Sequence, residues 1–159
     1  MRLVIFLVFA ILSGKTLAKY SFKNCDNGPR NVSLENFSID SSKISTDDFI
    51  ELPGTYNISA TFSVNEPFDS IDADVTMRKH YKGGQILTIS CYKNTGSCFY
   101  EDIYGSFNQT GSIVIDKEFD LPVIAGSSGL FARGFYELTV KLLSDSQQVG
   151  CFVISADVR

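Results

Sequence analysis

Residues 55–64 read TYNISATFSV, and their alternation decides the fold. Tyr56, Ile58, Ala60, Phe62 and Val64 fall on one side of an extended chain, and Thr55, Asn57, Ser59, Thr61 and Ser63 on the other. Side chains alternate across a strand, so this is a β-strand with one apolar and one polar face. The polar face carries Asn57-Ile58-Ser59, an acceptor for a bulky N-linked sugar that must face water. The apolar face therefore looks inward, onto a second sheet or onto something that is not protein.

The same pattern recurs along the chain. Ile71, Ala73, Val75 and Met77 alternate with Asp72, Asp74, Thr76 and Arg78, and Tyr136, Leu138, Val140 and Leu142 with Glu137, Thr139 and Lys141. Between Ile113 and Leu121 the apolar residues Ile113, Ile115, Phe119 and Leu121 hold odd positions, with Lys117 the exception. Val32 to Asp40 changes phase near Glu35-Asn36, as a β-bulge would. Shorter runs at Gln85–Cys91 and Cys98–Tyr104, and a last strand at Val149–Val158, complete the set. Pro53-Gly54, Asn65-Glu66-Pro67, Lys82-Gly83-Gly84 and SDSQQ at 144–148 supply breaks and turns. About eight strands and no helical period past the N-terminus predict an all-β, two-sheet antiparallel sandwich. The segment LPVIAGSSGLFARG, residues 121–134, stands apart. It is a long connection that keeps Val123, Ile124, Leu130 and Phe131, more apolar area than a solvated loop usually carries.

The chain opens MRLVIFLVFAILSGKTLAK, where Arg2 precedes an apolar run from Leu3 to Leu12 and then Thr16-Leu17-Ala18. That is the layout of a secretory signal, predicted to span residues 1–18. Its apolar run is far short of the about 20 residues that span a bilayer. Residues 19–159 then form one exported domain. Removing Arg2 and Lys15 takes 14 basic residues to 12 against 18 acidic, a net charge of −6. An acidic chain repels phosphate, so nucleic acid is excluded as a partner. Four sugar acceptors, at Asn31, Asn36, Asn57 and Asn108, agree with passage through the secretory route.

Four cysteines in an exported chain predict two disulfides, for which three pairings exist. Cys91 and Cys98 bracket YKNTGS, whose Asn94 and Gly96 suit a turn, which makes them natural partners and leaves Cys25 with Cys151. A four-cysteine zinc site would need paired close spacings that are missing here.

Catalytic chemistry has little to stand on. His80 is the one histidine, no GxSxG elbow occurs, and Asp47-Asp48 and Glu101-Asp102 read as solvated turn and rim charges. No catalytic residue, cofactor or metal is expected, and the protein is not read as an enzyme. Arg78, Lys79, His80 and Lys82 form a basic run on an acidic chain. It reads first as a charged hairpin end that keeps sheet edges from pairing, and second as a contact for anionic head groups.

Asn24-Cys25-Asp26, Leu52-Pro53-Gly54, Gly96-Ser97-Cys98, Gly134-Phe135-Tyr136 and Val149-Gly150-Cys151, in that order, resemble the ganglioside activator (sphingolipid activator) family of the ML-type lipid-recognition group. The resemblance implies a β-cup holding acyl chains in an apolar cavity. It also implies extraction of glycolipid or phospholipid during transient contact with a membrane surface, and presentation to an acceptor or to a lysosomal glycosidase as a non-enzymatic activator. Cys25–Cys151 and Cys91–Cys98 match family disulfides, and residues 121–134 fall where the family has a membrane-touching loop. The expected lipid-binding residues are Ile58, Phe62, Val64, Val75, Phe119, Leu130, Phe131, Tyr136 and Leu138. The expected setting is secreted or lysosomal. The alternative is a secreted protein that recognises microbial or environmental lipid in defence or signalling.

Overall fold

The TYNISATFSV stretch lies within an eleven-residue strand that pairs on both edges, which is why its inner side chains are so well buried. The structure is a computed structural model that describes residues 20–40, 50, 54–91, 96–103, 107–121 and 134–158. It contains β1 (Tyr20–Asn24), β2 (Val32–Asp40), β3 (Gly54–Val64), β4 (Asp72–His80), β5 (Ile86–Ile89), β6 (Phe99–Tyr100), β7 (Gly111–Leu121), β8 (Gly134–Ser144) and β9 (Gln147–Val158). The expected leader, Leu130 and Phe131 lie outside the described residues.

These strands form two layers. One runs β5-β4-β8-β9 with β1 beside β9 and β6 beside β4; the other runs β2-β3-β7. The named strands pair antiparallel except at Val32 with Gly150, a parallel contact that joins the layers into a continuous hydrogen-bonded path; among the described residues the isolated bridges Ile50–Val158 and Ser90–Ser97 are also parallel. The close approach explains the glycine. A Cβ on Gly150 would lie 2.5 Å from the Val32 carbonyl oxygen, so any other residue forces the seam apart. The all-β two-layer expectation is therefore met, with this join added.

Local chemistry accounts for most boundaries. The register between β2 and β3 slips between Leu34 and Asn36, at the phase change read from the sequence. Asp145 and Ser146 both adopt positive φ, 49° and 64°, the geometry of a tight two-residue hairpin joining β8 to β9. The ninth strand, β1, is the one the sequence pattern missed. Its five residues YSFKN are too short to declare a period and take their geometry from pairing with β9.

β1 also stitches the layers. Asn24 sits at its end, and its side-chain amide donates to the Leu34 carbonyl at 3.0 Å while its oxygen accepts from the Leu34 amide at 2.9 Å. One side chain thus imitates a backbone partner beside the bulge. Next to it the Cys25 amide donates to the Cys151 carbonyl at 3.0 Å, and Cys25 is bonded to Cys151. The second disulfide joins Cys91 to Cys98.

Candidate functional site

The register places the inward-facing residues of the first layer in rows. Leu87, Lys79, Tyr136, Ala156 and Tyr20 make one row, and Ile89, Met77, Leu138, Ile154 and Phe22 the next. Val75, Val140 and Phe152 follow, then Ala73 and Leu142. In the second layer the inward set is Val32, Leu34, Phe37 and Ile39 from β2, and Tyr56, Ile58, Ala60, Phe62 and Val64 from β3.

At the end holding Val32, Val64 and Leu142 these faces meet and fill. Phe62 lies 6.1 Å edge-on from Phe107 and 5.7 Å from Phe152 between ring centroids, bridging both layers. Phe107 enters from the segment between β6 and β7, held by the Phe68 amide donating to its carbonyl at 2.8 Å. Ile71, Leu142, Val32 and Val64 are almost wholly inaccessible. Along the seam, Tyr20 and Phe22 both pack on Phe37, at 5.9 and 6.3 Å.

The opposite corner differs. Met77 and Leu138 face inward on the paired central strands β4 and β8, yet both are only partly buried. Among the described residues, the core cluster takes in Val140 and Leu142 from β8 and stops before Leu138 and Tyr136. A filled sandwich would bury such positions against the facing sheet. Here the inner wall of β4 and β8 presents apolar surface that the core does not cover.

This corner also holds the fold's buried cation. Lys79 is 4% exposed, with its ammonium 5.2 Å from the Tyr81 ring centre and 5.4 Å from that of Tyr136. Such cation–aromatic contacts offset part of the cost of burial. Burial pushes the lysine below its ordinary 10.5, and burial followed by the neighbouring Tyr81 pushes the Tyr136 hydroxyl up to about 12. The basic run is therefore not one patch, a correction to its reading as a charged hairpin end. Strand alternation turns Lys79 inward and leaves Arg78 outward, where it pairs with Glu137 at 3.8 Å. His80 also turns outward, its ring 5.3 Å edge-on from Phe135, and its Nε2 is buried with no hydrogen-bond partner among the described residues.

The expected lipid-binding residues divide between these regions. Phe62 and Val64 sit in the filled end, Ile58 and Val75 pack against the core from its margin, and at the opposite corner Tyr136 is buried while Leu138 is only partly buried. Phe119 pairs with Tyr56 across β3 and β7. Sequence reasoning placed Met77 on the apolar face of β4 but left it out of the expected lipid-binding set, and it missed Lys79 as inward-facing although Lys79 shares the parity of Val75.

A separate cleft of about 310 Å³ on the β2-β3-β7 layer is lined by Asp40, Asn57, Ile58, Ser59, Asp116, Lys117 and Glu118. Six of its seven lining residues are polar or charged, the Asn57 acceptor among them. The exposed amides of Asn36, Asn57 and Asn108 leave room for sugar, while the Asn31 amide donates to Glu66.

No protein-family model and no curated protein matches the sequence. Solved structures do. The C-terminal domain of wzt aligns at a TM-score of 0.50 and 12% identity over 89% of this chain and 78% of that one. A Niemann-Pick type C2 protein from the Japanese carpenter ant gives 0.49 and 11% over 87% and 99%, and chicken MD-1 complexed with lipid IVa gives 0.47 and 13% over 87% and 88%. At such identities the likeness concerns fold alone, and the fold this chain adopts is a layered, antiparallel all-β sandwich closed at one end.

Proposed function

We propose that this protein binds an acyl lipid between its layers and carries it between a membrane and an acceptor. The observation that carries the reading is the inward-facing but uncovered wall of β4 and β8, formed by Met77 and Leu138. Central-strand side chains pointed at the interior, and still reachable from outside, suit an apolar guest. Tyr136 and Leu138 would line the entrance, Val75 and Ile58 the wall, and Phe62 and Val64 the floor, with Phe119, Leu130 and Phe131 at the mouth. The sequence resemblance to ML-type lipid-recognition proteins, and within them to ganglioside activators, supports the same assignment. It extends the reading to a secreted or lysosomal glycoprotein, cleaved after residue 18, that presents lipid to a hydrolase without reacting with it.

The energetics suit transfer. Sheltering an acyl chain from water is favourable by about 0.8 kcal/mol per methylene. A chain leaving a bilayer exchanges one oily phase for another, so the net change is small and uptake and release both stay accessible. Native mass spectrometry of protein purified from a eukaryotic host tests the proposal. Co-purifying acyl lipid, lost on organic extraction, is the expected result. A ligand-free protein that also fails to move lipid between liposomes would sink it.

A further inference from the structure

Among the described residues six large apolar side chains stand exposed, and four of them gather in one place. Tyr81, Ile86, Leu87 and Phe135 are 40–57% exposed around the β4–β5 hairpin and the start of β8. The register sets Ile86 and Phe135 on the outer face, each opposite His80, and Leu87 on the inner face opposite Lys79, so the group wraps both faces of the hairpin edge. The hairpin itself is tight: the Tyr81 amide donates to the Gln85 carbonyl at 2.8 Å, while Gly83 and Gly84 turn with positive φ and have open space around them. Single exposed apolar residues are ordinary, but a group with polar and charged neighbours marks a contact surface.

Two independent features say what kind of contact. From Val75 to Tyr100 the sequence carries Arg78, Lys79, Lys82 and Lys93 and no carboxylate, in a chain whose net charge is −4. Of these, Arg78 and Lys82 are exposed beside the apolar side chains, Arg78 paired with Glu137, while Lys79 turns inward and Lys93 lies outside the described residues. The sugar acceptors take the other layer. Asn36 and Asn57 lie in β2 and β3, and Asn31 and Asn108 just before β2 and β7, so none falls on the β5-β4-β8-β9 layer. A face free of acceptors, with aliphatic and tyrosine side chains beside lysine, matches the head-group boundary of a bilayer. There tyrosine rings settle at the interface and cations meet anionic lipid.

We infer that the β4–β5 hairpin and the start of β8 form a docking surface for an anionic lipid bilayer, which brings the uncovered corner of β4 and β8 against the membrane. The inference deepens the reading of that corner as a lipid port and rests on it for its purpose. Docking itself is measured separately. In sedimentation with phosphatidylserine–phosphatidylcholine vesicles, the protein pellets with the vesicles, and it does so much less with phosphatidylcholine alone. Ile86→Asp combined with Phe135→Asp lowers the partition coefficient about tenfold or more. Lys82→Glu, at the exposed hairpin tip, lowers it severalfold at low salt and little at high salt. Val114→Asp, at a position 59% exposed on β7, leaves it unchanged.

Equal pelleting with both vesicle types overturns the inference. So does an equal loss in Val114→Asp, or an Ile86→Asp, Phe135→Asp protein that pellets like the parent. Native mass spectrometry of the same samples separates the two ideas. Lipid retained by a protein that ignores vesicles sinks the docking surface alone; vesicle docking by a protein that never holds lipid supports the surface and sinks the port.

Discussion

The two ends of this sandwich use the same strands differently. At one end Phe62 of β3 reaches Phe152 of β9 and Phe107 of the β6–β7 segment, and the layers are one solid. Toward the other end the same β8 that contributes Val140 and Leu142 to the core turns Leu138 and Tyr136 inward without joining it. Both ends carry apolar residues at alternate positions, so apolarity does not separate them. What separates them is the presence of aromatic cross-pieces and of a seam. Three rings meet at the filled end, and Asn24, Tyr20 and Phe22 hold the β1–β9 edge to β2. Packing is thus dense at the end where the rings meet and looser at Met77 and Leu138, the corner the proposed function assigns to a guest.

The seam gives the largest test of this contrast. Replacing Cys25 and Cys151 together by Ala should cost about 5 kcal/mol in denaturant unfolding, because their bond closes a long loop in the unfolded chain. Doing the same at Cys91 and Cys98, only seven residues apart, should cost about 2 kcal/mol. Equal losses would mean that the length of the closed loop does not set what each disulfide contributes.

Phe62→Ala should cost about 3–5 kcal/mol, since it empties a site enclosed by two other rings. Leu138→Ala should cost about 1 kcal/mol while reducing retained lipid. If the two cost the same, the corner is as filled as the core and the contrast fails.

The smallest effect is a pH dependence that sharpens the picture of the corner. With its pKa raised from 10.0 to about 12, folded Tyr136 keeps a proton that the unfolded chain has already lost. Its contribution is present below pH 10 and disappears as pH climbs toward 12, by up to about 2 kcal/mol. Lys79 works with the opposite sign, since its lowered pKa makes the folded state shed a proton early and stability gain as pH approaches 10.5. Tyr136→Phe should therefore reduce the alkaline decline in thermal unfolding experiments, leaving the part owed to Tyr100, whose pKa burial also raises. An unchanged decline would show that Tyr136 is solvated.

Much of this was readable beforehand, residue by residue. Period-two alternation identified β3, β4, β7 and β8, and the bulge at Glu35-Asn36, because a strand half-buried against another layer writes its geometry directly into polarity, while β9 was read from the turn before it. β1 escaped since YSFKN owes its conformation to a distant partner. Lys79 escaped for another reason. Four polar or basic residues in a row suggest a single surface, whereas alternation divides them between two, and parity with Val75 and Met77 was the better guide. Leu130 and Phe131 remain part of the proposal only, outside the described residues.

Sequence by itself determined the strands, their inward faces and the natural cysteine pairing, since each is a local matter of polarity, turn chemistry or spacing. Only the tertiary structure decided where the two inner faces close and where they do not. An inward leucine looks the same in the chain whether a ring from the other layer covers it or nothing does, and that depends on long-range contacts such as Phe62 with Phe152 and Val32 with Gly150.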